Sequence, residues 1–86
     1  MEKIDVFIEL AAIDTIQGKY GKGEQRRKAL GKYHDEVTKR VLQYYQVAHD
    51  VINGKWGEGW NRKQALGGAG YDPETVEFVI KEIENA

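Results

Sequence analysis

One stretch of the chain is written twice, and this repeat constrains the fold more than any other feature. Residues 12–31 align with residues 48–67 without a gap, and 11 of the 20 aligned pairs are identical. The identical positions include four glycines, one aspartate, one lysine and one arginine. A period of about 36 to 39 residues indicates one supersecondary unit that is present twice. The sequence therefore predicts two units, residues 1–42 and 43–86.

Helical periodicity and glycine punctuation divide each unit into short helices. Apolar residues recur at intervals of three and four from Phe7 to Ile16, and Gly18 follows them where a left-handed helix cap is expected. The segment "GKYGKG" is typical of a tight connection, and "EQRRKAL" predicts a short second helix that Gly31 ends. In the second unit, Asp72 and Pro73 predict the start of a third helix.

The middle of the chain lacks any helix breaker. No Gly or Pro occurs between Lys32 and Asn53, and apolar residues keep helical spacing from Val37 to Ile52. The third helix of the first unit should therefore continue into the first helix of the second, as one connecting helix of about 18 residues. The predicted fold is all-α, with two tandem three-helix bundles that share this helix.

Composition excludes several classes of function. The chain has no cysteine and a formal net charge of −1, so neither disulfides nor thiolate metal sites are possible and the overall charge favours neither nucleic acid nor an anionic membrane. The segment "MEKIDVFIELAA" carries three carboxylates and lacks a cleavage-site pattern, so it predicts an amphipathic helix rather than a signal peptide. No apolar run is long enough for a membrane span.

The sequence offers little support for a metal site or for a nucleic-acid-binding surface. His34 and His49 have no third ligand at metal spacing, so we expect no metal site and no cofactor. Basic residues crowd the second predicted helix of the first unit, as in some helix-turn-helix domains. In the second unit, however, Glu58 and Gln64 replace Lys22 and Lys28. The basic surface is not repeated, and we therefore expect no nucleic-acid partner.

A family resemblance appears in the repeated residues. The segment "VAHDVINGKWGEGWNRKQALGGAGYDPETVEFVIKEI", residues 47–83, resembles the cell-wall-binding repeat that occurs in tandem in certain choline-independent phage lysozymes. Its pattern is close to V-I-x-G-x-W-G-x-G-x-x-R-x-x-x-L-x-x-A-G-Y-D-x-x-x-V. Residues 11–41 are similar to a shorter variant, with Tyr20 in place of the tryptophan and three fewer residues before Tyr33.

The resemblance implies a non-catalytic module that binds peptidoglycan muropeptides and targets an attached or associated hydrolase to the bacterial wall. It places the protein at the cell wall or outside the cell, whereas the absence of a signal peptide leaves a phage lysin fragment or a cytoplasmic pool open. The residues that match the family pattern at positions expected to bind ligand are Trp56, Gly57, Gly59, Arg62 and Tyr71. In the first unit they correspond to Tyr20 and Arg26, and Tyr33 is the nearest equivalent of Tyr71.

Elementary chemistry supports the same residues. The apolar faces of sugar rings pack on Trp or Tyr, and a guanidinium binds the carboxylates and carbonyls of a peptide. Three alternatives stay open at this point. In the first, the aromatic residues only fill the space between helices. In the second, Arg26 and Arg62 pair with Asp14 and Asp50 and hold two helices together. In the third, the repeat fold serves as a protein-interaction or structural module of a phage or mobile-element protein.

Overall fold

The computed structural model describes residues 6–86, and within this range the fold is all-α, as predicted. Residues 1–5, which open the predicted N-terminal amphipathic helix, lie outside the described residues. The elements are five α-helices and one short 3-10 helix. They are α1 (Val6–Ile16), α2 (Glu24–Leu30), the 3-10 helix (Gly31–Tyr33), α3 (His34–Ile52), α4 (Gly59–Gly68) and α5 (Pro73–Glu84).

The predicted breaks between helices are confirmed in the first unit. Helix α2 covers "EQRRKAL" and ends at Leu30, because Gly31 has a φ of 55°. The chain then forms one 3-10 turn before α3 begins at His34. In the second unit, Asp72 is the N-cap of α5 and Pro73 is its first residue. The Asp72 carboxylate accepts a hydrogen bond of 2.6 Å from the hydroxyl of Thr75, which lies three residues after this N-cap.

Helix α3 confirms that the middle of the chain is one continuous helix. It contains 19 residues, close to the length expected from the absence of Gly and Pro. The chain forms two compact units, of which the first ends at Leu42 and the second begins at Gln43, inside α3. Each unit therefore contains three helical segments joined by short connections. The first has α1, α2 and the start of α3, and the second has the end of α3, α4 and α5.

Each unit buries its own set of apolar side chains. The buried apolar residues of the first unit, within the described range, are Ile8, Ala11, Ala12, Leu30, Val37 and Val41. Those of the second are Tyr44, Val47, Ala48, Val51, Leu66, Val76, Val79 and Ile80. Among residues 6–86, the only fully buried aromatic ring belongs to the second set and is that of Tyr44. Burial of such a ring removes a large apolar area from water and stabilises the second unit.

The repeated residues build the same helix end twice. Gly18 and Gly54 have φ values of 84° and 81°, which only glycine adopts at no steric cost. In each case the next residue, Lys19 or Lys55, donates its backbone N–H over 3.0 Å to the carbonyl of the residue five positions earlier. This is the Schellman arrangement, which satisfies carbonyls at the end of a helix. The repeat thus fixes the exit of the chain from α1 and from α3.

The described residues contain no group of His, Asp and Glu side chains that could hold a metal ion. Within the same range no helix is both long enough and apolar enough to cross a membrane.

Candidate ligand-binding site

The second unit contains a cluster of three aromatic side chains, Tyr44, Trp56 and Tyr71, which we call the aromatic cluster. The ring of Tyr71 packs edge-on against Tyr44 at a centroid distance of 5.2 Å and against Trp56 at 6.4 Å. Tyr44 is fully buried, whereas Trp56 and Tyr71 are only half-buried. Tyr44 therefore acts as the support, and the other two rings present part of their surface to solvent.

Local backbone geometry holds Tyr71 in place. Helix α4 ends in a turn at Gly70, whose φ is 91°, and the backbone N–H of Tyr71 donates over 2.9 Å to the carbonyl of Leu66. The next N–H, that of Asp72, donates over 3.0 Å to the hydroxyl oxygen of Tyr44. The start of α5 is thus tied both to α4 and to the buried tyrosine on α3. The Tyr44 hydroxyl has a partner although its ring is in the core, as a buried phenol requires.

Two glycines beside Trp56 are required by the backbone. Gly57 and Gly59 have φ values of 78° and 57°, in the region that side chains with a Cβ rarely occupy. A Cβ added at either position would meet no atom within 4 Å. Steric crowding therefore does not explain why glycine stands at these two positions; the positive φ does. They set the turn that leads from α3 into α4, and Trp56 lies on that turn.

Arg62 on α4 forms an ion pair across the second unit. Its Nη2 atom donates a hydrogen bond to Oε1 of Glu77 on α5. Its Nε atom is buried and has no hydrogen-bond partner. The arginine expected to meet a ligand is therefore already bonded to a carboxylate of its own unit. The pair is partly exposed, since the side chains of Arg62 and Glu77 are 27% and 38% exposed.

The alternative pairing of the arginines with the repeated aspartates is absent from the described residues. Asp14 instead pairs with Lys19 at 3.3 Å, and Asp50 pairs with Lys55 at 3.6 Å. In both units the lysine is the residue that follows the left-handed glycine. The repeated Asp and Lys thus stabilise the same turn in both units. The alternative in which the aspartates pair with Arg26 and Arg62 is wrong.

The first unit places its candidate residues differently. Tyr33 lies in the 3-10 helix and packs edge-on against Phe7 of α1, with ring centroids 4.9 Å apart. The ammonium group of Lys32 lies 5.2 Å from the centre of the Tyr33 ring. Tyr20 is half-buried and makes no ring contact among the described aromatic side chains. The structure thus brings Trp56 and Tyr71 together, and it does not bring Tyr20 and Tyr33 together.

A shallow groove runs between α4 and α5 of the second unit, with a volume of about 330 Å³. Its lining residues are Lys63, Pro73, Glu74, Glu77, Phe78 and Lys81. None of the ligand-binding residues expected from the sequence lines it. Glu77 nevertheless connects the groove to Arg62 through their ion pair.

The sequence of the second unit matches a known repeat. Residues 45–78 match the CW_7 repeat. The CW_7 repeat is a cell-wall-binding repeat, so the match suggests a role in binding the cell wall. It covers the whole aromatic cluster except Tyr44, together with Arg62 and Glu77. No curated protein and no solved structure matches the chain.

Sequence reasoning missed two residues that shape this site, Glu77 and Tyr44. Glu77 occupies a helical position with no special neighbour in the sequence, so nothing in the sequence indicated that it would reach Arg62, 15 residues earlier. Tyr44 was visible only as one member of the apolar stripe of α3. A tyrosine in such a stripe is a candidate for a buried ring with a bonded hydroxyl, and this was the available signal.

Proposed function

We propose that this chain is a non-catalytic module that binds peptidoglycan muropeptides and brings an attached or associated hydrolase to the bacterial cell wall. The observation that carries the proposal is the contact between Trp56 and Tyr71, which lies inside the segment that matches the CW_7 repeat. A binding repeat requires no catalytic groups of its own. In this proposal the function is recognition, and the chemistry of cleavage belongs to another domain.

The aromatic cluster suits a sugar ligand. Tyr71 is held by the fully buried ring of Tyr44 and by the backbone hydrogen bonds at the start of α5, so little of its side-chain entropy remains to be lost on binding. Trp56 packs edge-on against Tyr71. Their partly exposed rings offer apolar surface to the C–H faces of a pyranose. We assign the disaccharide to this surface, with Gly57 and Gly59 shaping the turn that carries Trp56.

Arg62 lies in the same CW_7 segment and supplies polar contacts. Its guanidinium is held by Glu77 and keeps N–H groups that this bond does not use. We assign these groups to the lactyl or peptide carbonyls of the muropeptide. In the first unit, Tyr20, Arg26 and Tyr33 form the corresponding set, which makes the chain a tandem pair of such repeats.

An NMR titration of the whole chain with a soluble disaccharide-dipeptide tests the proposal. We expect shifts of the Trp56 indole N–H and of the backbone amides of Gly57, Gly59, Arg62 and Tyr71. Trp56→Ala should weaken binding to the second unit roughly tenfold, since loss of one ring contact costs about 1.4 kcal/mol.

Trp60 provides a matched control in the same unit. It is the same residue type, lies four residues from Trp56 and is 71% exposed. Trp60→Ala should change affinity less than twofold, and circular dichroism should show both variants to be folded. Equal losses for Trp56→Ala and Trp60→Ala would contradict the assignment. The absence of shifts at millimolar ligand would reject muropeptide binding and favour a protein-interaction or structural role.

A further inference from the structure

The two units differ in the charge that surrounds their equivalent arginines. In the second unit Arg62 is bonded to Glu77. Aligning Val37 with Val76, as the repeat requires, puts Thr38 at the position of Glu77. The first unit thus has the arginine without the carboxylate.

Among the described residues of the first unit, Arg26 and Thr38 each carry a polar atom without a hydrogen-bond partner. The Nε atom of Arg26 and the hydroxyl oxygen of Thr38 are buried and have no hydrogen-bond partner. Within the described residues Arg26 also forms no ion pair. Buried polar groups are nearly always paired in folded proteins. An uncompensated, half-buried guanidinium therefore has a strong tendency to bind an anion.

The charge of the neighbouring residues also favours binding of an anion in the first unit. Residues 18–32 contain six Lys and Arg side chains and one carboxylate, a net charge of +5. The equivalent residues 54–68 contain three Lys and Arg side chains and one carboxylate, a net charge of +2. This second observation does not depend on the Arg26 contact, and it gives the first unit the more positive field.

We infer that the two units select ligands by charge, the first binding a muropeptide through a free peptide carboxylate at Arg26 and the second binding without regard to that charge. The inference rests on the proposed function, since it names the ligand form that each unit prefers. A charge-assisted hydrogen bond to a guanidinium contributes more than a neutral one. In the second unit, Glu77 already neutralises the guanidinium of Arg62, so a ligand carboxylate gains no advantage over a neutral amide there.

Two matched probes test this selectivity on the intact chain. One is N-acetylmuramyl-L-alanyl-D-glutamate, whose two peptide carboxyl groups are free, and the other is its diamide, which carries no charge. Backbone amide shifts of Gly21 and Gly23 report on the first unit, and those of Gly57 and Gly59 report on the second. We expect the first unit to bind the acid roughly tenfold more tightly than the diamide. The second unit should bind both within about threefold.

Exchanging the side chains between the units gives the decisive comparison. Thr38→Glu should abolish the acid preference of the first unit, whereas Thr38→Gln, of the same size without charge, should keep it. Glu77→Gln should create an acid preference of roughly tenfold in the second unit, with the fold retained because the amide still fills the site. Glu77→Thr should have the same effect.

Each outcome has one meaning. If the first unit binds acid and diamide equally, or Thr38→Glu and Thr38→Gln act alike, the selectivity is rejected while wall binding stands. If neither probe shifts either unit, the proposed function is rejected and the selectivity with it. A preference that moves between units with the exchanged carboxylate supports both.

Discussion

In the first unit an ion pair joins α1 to α3, whereas in the second an ion pair joins α4 to α5. Glu9 accepts a hydrogen bond of 2.5 Å from Nε of Arg40, and Glu77 accepts one from Arg62. By the repeat alignment, Arg40 corresponds to an apolar valine, Val79. The repeat has therefore kept its turns, each with an Asp–Lys pair, and changed the ion pairs that join one helix to another. The identical positions preserve the local turn, and the differing positions decide the ion pairs between helices.

The interiors differ in the same way. The second unit buries Tyr44 against Tyr71, while the equivalent position in the first unit holds the aliphatic Ile8. In the first unit the aromatic contact lies nearer the surface, between Phe7, which is 52% exposed, and Tyr33. In the second unit a fully buried ring thus packs against a half-buried one and restricts its side-chain motion.

The largest expected effect is the loss of the buried ring. Tyr44→Ala should destabilise the second unit by about 3 to 5 kcal/mol, because it removes a fully buried aromatic side chain and leaves a cavity. Tyr44→Phe should cost about 1 kcal/mol, the value of its hydroxyl bond to Asp72. Urea unfolding with hydrogen exchange resolved by residue measures both. Similar costs for the two variants would show that the ring does not support the site.

An intermediate effect is expected from the two ion pairs. The side chains of Glu9 and Arg40 are 19% and 12% exposed, against 38% and 27% for Glu77 and Arg62. Glu9→Gln should therefore destabilise the first unit by about 2 kcal/mol. Glu77→Gln should cost the second unit less than about 1 kcal/mol, since solvent screens the more exposed pair. The reverse order in urea unfolding would overturn this ranking by burial.

The smallest effect should come from the contact that both units share. Lys19 and Lys55 are 62% and 67% exposed where they pair with Asp14 and Asp50. Lys19→Ala and Lys55→Ala should each change the free energy of unfolding by less than about 0.5 kcal/mol. Thermal melts of the two variants should superimpose on that of the parent chain. A clear loss in only one variant would mean that the shared turn has different importance in the two units.

Local signals predicted most of the helices. Gly18, Gly31 and Gly54 each end a helix where the sequence places a glycine after an apolar position, because the positive φ that they adopt excludes most other residues. The uninterrupted run from Lys32 to Asn53 predicted α3, because helix propagation needs only the absence of breakers and an apolar stripe. The 3-10 turn at Gly31–Tyr33 was not predicted, since three residues carry too little periodicity.

The candidate site was only partly predictable, because its contacts join residues that are far apart in the sequence. Trp56 and Arg62 stand in a repeated motif that can be read along the chain. Their contacts with Tyr71 and Glu77 join residues 15 positions apart, on elements whose packing no local pattern specifies. The alternative in which Arg26 and Arg62 pair with Asp14 and Asp50 was wrong, because the helix-end turn brings a lysine close to each aspartate.

The sequence by itself determined that this protein is all-α, that one unit is repeated, and where the glycines turn the chain, since these depend on backbone sterics and periodicity within a few residues. Only the tertiary structure decided which carboxylate meets which arginine and that Tyr44 supports Tyr71. The physical reason is that an ion pair or a ring contact depends on distances between side chains on different helices. Within residues 6–86, the same repeated sequence can therefore place one arginine, Arg62, beside a carboxylate and leave the equivalent arginine, Arg26, without one.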